Sequence, residues 1–438
     1  MFSLCEKTEK KEATISIIGL GYVGLPLALA FSKAGFQVTG FDTDEEKVRQ
    51  LNSGNDANGQ SDSQEIKNAL AKTLQITSYP NKISTNFVII CVPTPVDEKN
   101  KPYLKPIESA SEIVGKNLKK GSIVILESTV YPGITEEVMK PILESGSGLK
   151  CGTEFSIAYS PERINPGDTQ HKLENVPKIV GGYDHKTTET VSKLYESIIK
   201  AGVYKVSSIR TAEAVKVVEN TQRFVNISLI NELAVIFDRM GINTLEVIEA
   251  AKTKWNFHHY YPNAGVGGHC ISVDPYYLIH KSEEFGYKPK IISSSMEINE
   301  FMPKHVANAV LKHLDKTKSI QKKILLLGLT YKENVSDIRN TSAEKIAKEF
   351  AKTGIKVYGY DSFLTGETIK KMGIIPVASL DEMNNIDCFL FLVAHDRLKN
   401  IPIKDFKRMS SKNALMFDIK GILNKDLVKS FGLEYKSL

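Results

Sequence analysis

The chain has 438 residues, 57 basic and 51 acidic, for a net charge of +6. That charge is too mild and too evenly spread to mark a nucleic-acid binder, and nucleic acid is not an expected partner. Hydrophobic residues make up 42% and charged residues 25%, a globular mixture with room for two or three domains of ~150 residues each.

No run approaches the ~20 apolar residues of a membrane span. The N-terminus, MFSLCEKTEKKEAT, is charged and has no apolar signal core, so the expected location is the cytoplasm. Five cysteines (Cys5, Cys91, Cys151, Cys270 and Cys388) are odd in number and far apart, with no CxxC pair. Neither a disulfide framework nor a metal site is expected.

In chain order, ATISIIGL reads as a buried strand and LPLALAFSKAG as a helix stopped at Gly35. QVTGFD is a second strand, NFVIICV and SIVILEST are later ones, and FSIAYSPE and PKIVGG extend the set. Strands alternating with helices predict a parallel α/β sheet.

The segment TAEAVKVVENTQRFVNISLINELAVIFDRMG then runs without Pro or Gly to Gly241. Its apolar positions Val217, Val218, Phe224, Val225, Leu229, Ile230, Leu233 and Phe237 predict one helix of ~30 residues, ~45 Å long, with a broad apolar stripe. So long a helix suits a domain junction and contact with a second subunit. Strand and helix patterns return in KILLLGLTYKEN, IKVYGYD, DCFLFLV and LMFDIKG. The expected architecture is α/β, long helix, α/β, with boundaries near residues 206 and 318: residues 1–205, 206–317 and 318–438.

Three glycines, Gly19, Gly21 and Gly24, lie between the first strand and its helix, and Asp42 ends the second strand. A strand–GxGxxG–helix unit allows a tight turn and close approach of a pyrophosphate to the helix N-terminus. Asp42 can accept hydrogen bonds from both ribose hydroxyls and would repel a 2′-phosphate, so NAD is expected over NADP. A tight turn without a ligand is the plain alternative.

Val92-Pro93-Thr94-Pro95 follows a strand, either facing the ligand or stiffening a turn. The same choice holds for Glu127–Gly133 and for Ser160–Gly167, the latter carrying Glu162 and Arg163. Glu213, Lys216 and Asn220 share one face of the long helix. A lysine there is either a solvated charge or, amid apolar neighbours, a cation for an anionic ligand or oxyanion. GVGGHCISVDP sets Cys270 after three glycines and before Asp274; its thiol is either an inert packed group or a nucleophile.

Taken together, GLGYVGLP, VPTP, ESTVYPG, YSPERINPGD, AEAVKVVENTQR, KWNF, GVGGHCISVDPYYL and GLTYKENVSDIRN resemble the UDP-glucose/GDP-mannose dehydrogenases over nearly the whole chain. The form is most similar to the UDP-N-acetylhexosamine 6-dehydrogenases of bacterial polysaccharide pathways, of the Vi-antigen type. The resemblance implies two Rossmann-like doubly wound domains, one for NAD and one for the UDP moiety. A central helical domain with one long helix would join them and form a homodimer or larger oligomer.

The implied reaction oxidises the C6 hydroxyl of a UDP-N-acetylhexosamine to the acid, with two NAD and one water consumed. The setting would be the biosynthesis of a surface polysaccharide such as a capsule or O-antigen. UDP-N-acetylglucosamine is the first expectation, UDP-N-acetylgalactosamine the second, with UDP-N-acetylmannosamine and UDP-glucose as alternatives.

By position, the resemblance makes Cys270 the nucleophile and Lys216 and Asn220 the stabilisers of oxyanions. Asp274 would place the hydrolytic water and Lys216, while Thr129 and Glu162 would assist proton movement. Gly19, Gly21, Tyr22, Val23, Gly24, Asp42, Thr94 and Thr129 would hold NAD. Glu162, Arg163, Lys216, Asn220, Tyr261, Gly267, His269, Lys332 and Arg339 would meet the nucleotide sugar.

The chemistry explains the cysteine. A free aldehyde has no carbinol hydride to give, whereas its thiohemiacetal does. Lys216 or a helix N-terminus would lower the thiol pKa from ~8.5. The glycines before Cys270 would let substrate approach the backbone. His269 either contacts the sugar or packs, and the aromatic run from Trp255 to Tyr261 is either a sugar-binding wall or core. Asn263-Ala264 stands where a Pro-Gly-like turn is expected. Two rivals remain, a two-electron hydroxyacid dehydrogenase and a non-catalytic nucleotide-sugar sensor.

Overall fold

A computed structural model describes residues 4–56, 59, 61–164, 171–316 and 322–438. Asn165, Pro166 and Gly167 of the SPERINPG loop, the expected boundary near residue 318 and the first three residues lie outside the described residues. The chain packs as two compact units, Met1–Glu219 with Tyr276–Phe285, and Asn220–Pro275 with Gly286–Leu438.

The first unit is built on eight strands: β1 (Thr14–Ile18), β2 (Gln37–Phe41), β3 (Leu74–Thr77), β4 (Phe87–Ile90), β5 (Ile123–Leu126), β6 (Ser156–Tyr159), β7 (Lys178–Gly182) and β8 (Val203–Lys205). Their order is β3-β2-β1-β4-β5-β6-β7-β8. Alternate residues feed opposite faces. Ile15, Ile17, Ile89 and Ile125 pack on one side, and Ile18, Val88, Ile90, Val124 and Leu126 on the other. Both faces are therefore covered, as continuous apolar strands require.

The register pairs Ile18 with Phe41 and Ile90, Ile90 with Leu126, and Leu126 with Tyr159. The carboxyl ends of these strands thus form one edge. That edge carries the glycine turn, Asp42, Val92–Pro95, Glu127–Thr129 and Ser160–Glu162. Two strands depart from the expected parallel sheet: β7 runs antiparallel to β6, with Tyr159 opposite Gly181, and β8 runs parallel to β7. Lys178, the first residue of β7, brings its ammonium within 3.5 Å of Glu162, which lies just beyond the end of β6.

The second unit contains a six-stranded sheet of β9 (Lys323–Leu327), β10 (Lys356–Tyr360), β11 (Ile375–Pro376), β12 (Ile386–Phe391), β13 (Ser410–Asp418) and β14 (Glu434–Lys436). It is parallel throughout, in the order β11-β10-β9-β12-β13-β14. Ile324, Leu326, Cys388 and Leu390 face one core, while Leu325, Leu327, Phe389 and Phe391 face the other.

Three helices matter below: α1 (Gly24–Lys33), α2 (Ile209–Met240) and α3 (Asp274–Glu284). Helix α2 has 32 residues, about 48 Å at ~1.5 Å per residue. Its stripe is narrower than the sequence pattern suggests. Val217, Phe224 and Ile230 are buried, whereas Val218 and Leu229 are exposed, as are Ile236 and Met240. Among the described residues no helix is long and apolar enough to cross a membrane.

Candidate active site

The glycine turn of the first unit is shaped by contacts that exclude side chains. Gly19 has φ +92°, and its N–H donates to Phe41 O at 2.8 Å. A Cβ on Gly24 would lie 1.9 Å from Gly19 O, so this glycine lets α1 start against the turn. A Cβ on Gly21, in contrast, would meet nothing within 4 Å. Tyr22 and Val23 complete the turn, and no side chain caps the N-terminus of α1.

At the end of β2, Asp42 accepts N–H bonds from Leu20 (2.9 Å) and Asp44 (3.1 Å), and Lys47 Nζ sits 2.8 Å from its Oδ2. A turn with open space over Gly21, an uncapped helix start and an anchored carboxylate on the next strand fit a dinucleotide.

The neighbouring loops are tied to this edge. Ser128 Oγ donates to Val92 O at 2.7 Å, and the Tyr277 hydroxyl donates to Thr94 O. Thr129 is half-buried beside them. On α2, Glu213 is fully buried and accepts from Gly133 N (2.6 Å), Thr135 N (2.9 Å) and Thr135 Oγ1 (2.7 Å). It thereby holds the end of the Glu127–Gly133 loop. Burial pushes its carboxyl up to about 7, against those hydrogen bonds. Lys216, one turn on, is buried as well.

Glu162 Oε1 accepts the N–H groups of Arg163 and Ile164, each at 2.6 Å. Arg163 is engaged with Glu219 (2.5 Å) and Pro177 O (2.7 Å).

A buried polar cluster that the sequence reading missed stands beside Glu162. Lys178 Nζ donates to Glu127 Oε2 at 2.6 Å and lies 3.5 Å from Glu162 Oε2. The Tyr195 hydroxyl donates to Glu127 Oε1 at 2.5 Å. Burial, partly offset by Lys178 and reinforced by Glu162, pushes Glu127 up to about 7. Burial opposes the charge on Lys178, but Glu127 and Glu162 outweigh it and raise its pKa. The signal was present: residues 161–177 contain three prolines and no helical apolar period. A parallel return needs a crossover, usually a helix, so an antiparallel β7 was readable.

In the second unit, Asn220 Nδ2 donates to Asp274 Oδ2 at 2.5 Å. Asp274 is buried and opens α3, and its N–H donates to Cys270 O at 2.8 Å. Cys270 is half-buried, whereas Cys91 and Cys388 are buried and burial pushes both thiols up. The glycines before Cys270 have a packing cause. A Cβ on Gly267 would lie 2.8 Å from Asn340 O, and one on Gly268 would lie 2.9 Å from the Tyr331 ring. Gly268 N–H donates to Arg339 O, and Asn340 Nδ2 to Gly268 O. The cysteine loop is thus laced to the segment after β9.

That segment holds Lys332, half-buried, and Arg339, which pairs with Asp337 at 2.5 Å. His269 Nδ1 lies 3.8 Å from the same aspartate. Asn263 closes its turn itself, its Oδ1 accepting from Gly265 N at 2.9 Å. The aromatic run is not core: Trp255 is 92% exposed, and Tyr261 donates its hydroxyl to Glu249 at 2.8 Å. Asp361, at the end of β10, accepts Leu329 N–H at 2.6 Å and lies 3.0 Å from His395 Nε2, both side chains fully buried. It mirrors Asp42 in position but is closed off from solvent. Among the described residues no cluster could hold a metal ion.

Residues 13–199 match the NAD binding domain of the UDP-glucose/GDP-mannose dehydrogenase family, residues 210–301 its central domain and residues 325–425 its UDP binding domain. The chain is 43% identical to a UDP-N-acetyl-D-glucosamine 6-dehydrogenase of Pseudomonas aeruginosa, over 95% of this chain and 98% of that one. It is 44% identical to the enzyme of that name from Salmonella typhi, over 94% and 97%. A solved UDP-D-ManNAc dehydrogenase from Pyrococcus horikoshii superposes with a TM-score of 0.88 at 31% identity, covering 97% of this chain and 98% of that one. The chain therefore belongs to the UDP-glucose/GDP-mannose dehydrogenase family and is an NAD-dependent dehydrogenase.

Proposed function

We propose that this protein oxidises the C6 hydroxyl of a UDP-N-acetylhexosamine, UDP-N-acetylglucosamine first, to the uronic acid through a covalent adduct on Cys270. The observation that carries this reading is the half-buried Cys270, whose backbone oxygen accepts the N–H of Asp274, a carboxylate fixed by Asn220 at 2.5 Å. The two whole-chain relatives named for the glucosamine substrate support the choice of sugar.

NAD, when bound, accepts a hydride in each of the two oxidations. The protein's own part begins with Glu162, whose carboxylate takes up the C6 hydroxyl proton, while Thr129 assists proton movement beside the hydrolytic water. The Cys270 thiolate then adds to the aldehyde carbon, giving a thiohemiacetal whose carbon again bears a hydride. The Lys216 ammonium and the Asn220 amide stabilise the oxyanions of this adduct and of thioester hydrolysis. Asp274 orients the water that releases the acid and restores the thiol. Residues 1–205 hold NAD, with Gly19, Gly21, Gly24 and Asp42 in the roles their geometry fits. Residues 206–317 form the central domain, and residues 318–438 hold the UDP moiety, with Lys332 and Arg339 toward the nucleotide sugar.

The protein acts in the cytoplasm, feeds a surface polysaccharide and works as at least a dimer, for which the exposed apolar side chains of α2 supply a surface. A second reading, the mannosamine epimer, draws on the Pyrococcus horikoshii structure and on relatives at 34% identity or below named for that substrate. Incubation with NAD and each of UDP-N-acetylglucosamine, UDP-N-acetylgalactosamine, UDP-N-acetylmannosamine and UDP-glucose tests the proposal. Fastest acid formation from the first supports it, and oxidation of UDP-glucose alone overturns it.

A further inference from the structure

The reversed strand β7 delivers a cation into the first unit. Lys178, its first residue, is only 2% exposed. Burying an ammonium costs several kcal/mol unless it is fully paired, and pairing with Glu127 alone, backed by the Tyr195 hydroxyl, would make a closed structural salt bridge. The cluster is not closed. Lys178 also faces Glu162, whose side chain keeps 12% exposure and so leads outward.

Each oxygen of Glu162 is then held from a different side, Oε2 by the ammonium at 3.5 Å and Oε1 by two backbone N–H groups at 2.6 Å. The other charged or titratable groups about this cluster are Cys91 at the end of β4, Glu127 at the end of β5, Tyr195 from the helix after β7, and Arg163, itself neutralised by Glu219.

We propose that Lys178 is a positioning residue for the oxidation: its buried ammonium holds the Glu162 carboxylate in one orientation, and Glu127 and Tyr195 fix the ammonium in turn. This rests on the reading above that Glu162 moves protons in the reaction.

The test compares Lys178→Met, Lys178→Arg, Glu162→Gln and the double variant Lys178→Met/Glu127→Gln, using NAD and whichever of the four UDP-sugars is turned over fastest. The double variant removes both buried charges together, so the fold is not left with an unpaired carboxylate if the single methionine variant does not fold. Lys178→Met, or the double variant in its place, is expected to lower kcat about 10- to 100-fold and leave both KM values within about threefold. Lys178→Arg, which keeps a cation at the same place, should restore most of the loss. An unchanged kcat, or a loss that appears in KM as much as in kcat or that Lys178→Arg does not restore, overturns the proposal. Glu162→Gln is read separately: full activity there removes the role of Glu162 itself, whereas its inactivity beside a normal Lys178→Met profile removes only the role of Lys178.

Discussion

Two glycines of one turn should fail in different ways when replaced by alanine. In Gly24→Ala the new Cβ would lie 1.9 Å from Gly19 O, and ordinary contact begins near 3.4 Å. Helix α1 must then retreat by the difference, 1.5 Å, from the turn it continues. Such overpacking costs about 1–3 kcal/mol. It should lower the melting temperature and weaken NAD binding together.

In Gly21→Ala the methyl meets no protein atom within 4 Å, and Gly21 is not among the positive-φ glycines. The fold should hold within about 0.5 kcal/mol. The methyl would stand where the pyrophosphate approaches, so NAD affinity should fall at least about tenfold, or ~1.4 kcal/mol. Thermal melts and NAD titration by calorimetry read both quantities. A Gly21→Ala protein that binds NAD like the parent would refute the assignment of that space to the cofactor.

Three other outcomes are expected. Cys270→Ser should retain UDP-sugar and NAD binding but lose acid formation by about 10²-fold or more; undiminished acid production would remove the covalent step. Glu213→Gln should change the pH dependence of stability. Burial sets the folded-state value of Glu213 at about 7 against 4.5 when unfolded. Its stabilising protonation is complete below the unfolded value and is lost as pH rises through about 7. Melts from about pH 5 to about pH 8 should show the variant gaining on the parent by up to about 3 kcal/mol, whereas a constant gap contradicts the assignment. Asp361→Asn should destabilise the second unit by about 1.5–3 kcal/mol, because it removes the charged acceptor from buried hydrogen bonds with His395 Nε2 and Leu329 N–H; an unchanged melting temperature would count against it.

Much of the fold was legible because local pattern and long-range packing agree in it. The apolar strands Thr14–Ile18 and Lys323–Leu327 and the uninterrupted helix Ile209–Met240 each carry their own period. The glycine turn was legible because Gly19 and Gly24 answer to contacts within a single βα unit. What escaped depends on pairing between distant segments. Lys178 reads as an ordinary strand-start lysine until β7 reverses and sets it against Glu127, 51 residues earlier. Val218 and Leu229 fit the helical stripe, yet the chain does not cover them. Gly267 and Gly268 suggested access for a ligand, whereas Tyr331 and Asn340 already require them to be glycine. Asn263 looked like a departure from a turn, and its side chain supplies the turn.

The central claim is that both oxidations are carried out on the same sugar, with Cys270 holding the intermediate. Its most direct test is the amount of NADH formed per UDP-sugar consumed, measured to completion with the sugar limiting. The account predicts two NADH for each sugar and a carboxylate product. One NADH for each sugar, with an aldehyde or ketone product, would contradict it and return the protein to two-electron chemistry that has no need of the cysteine.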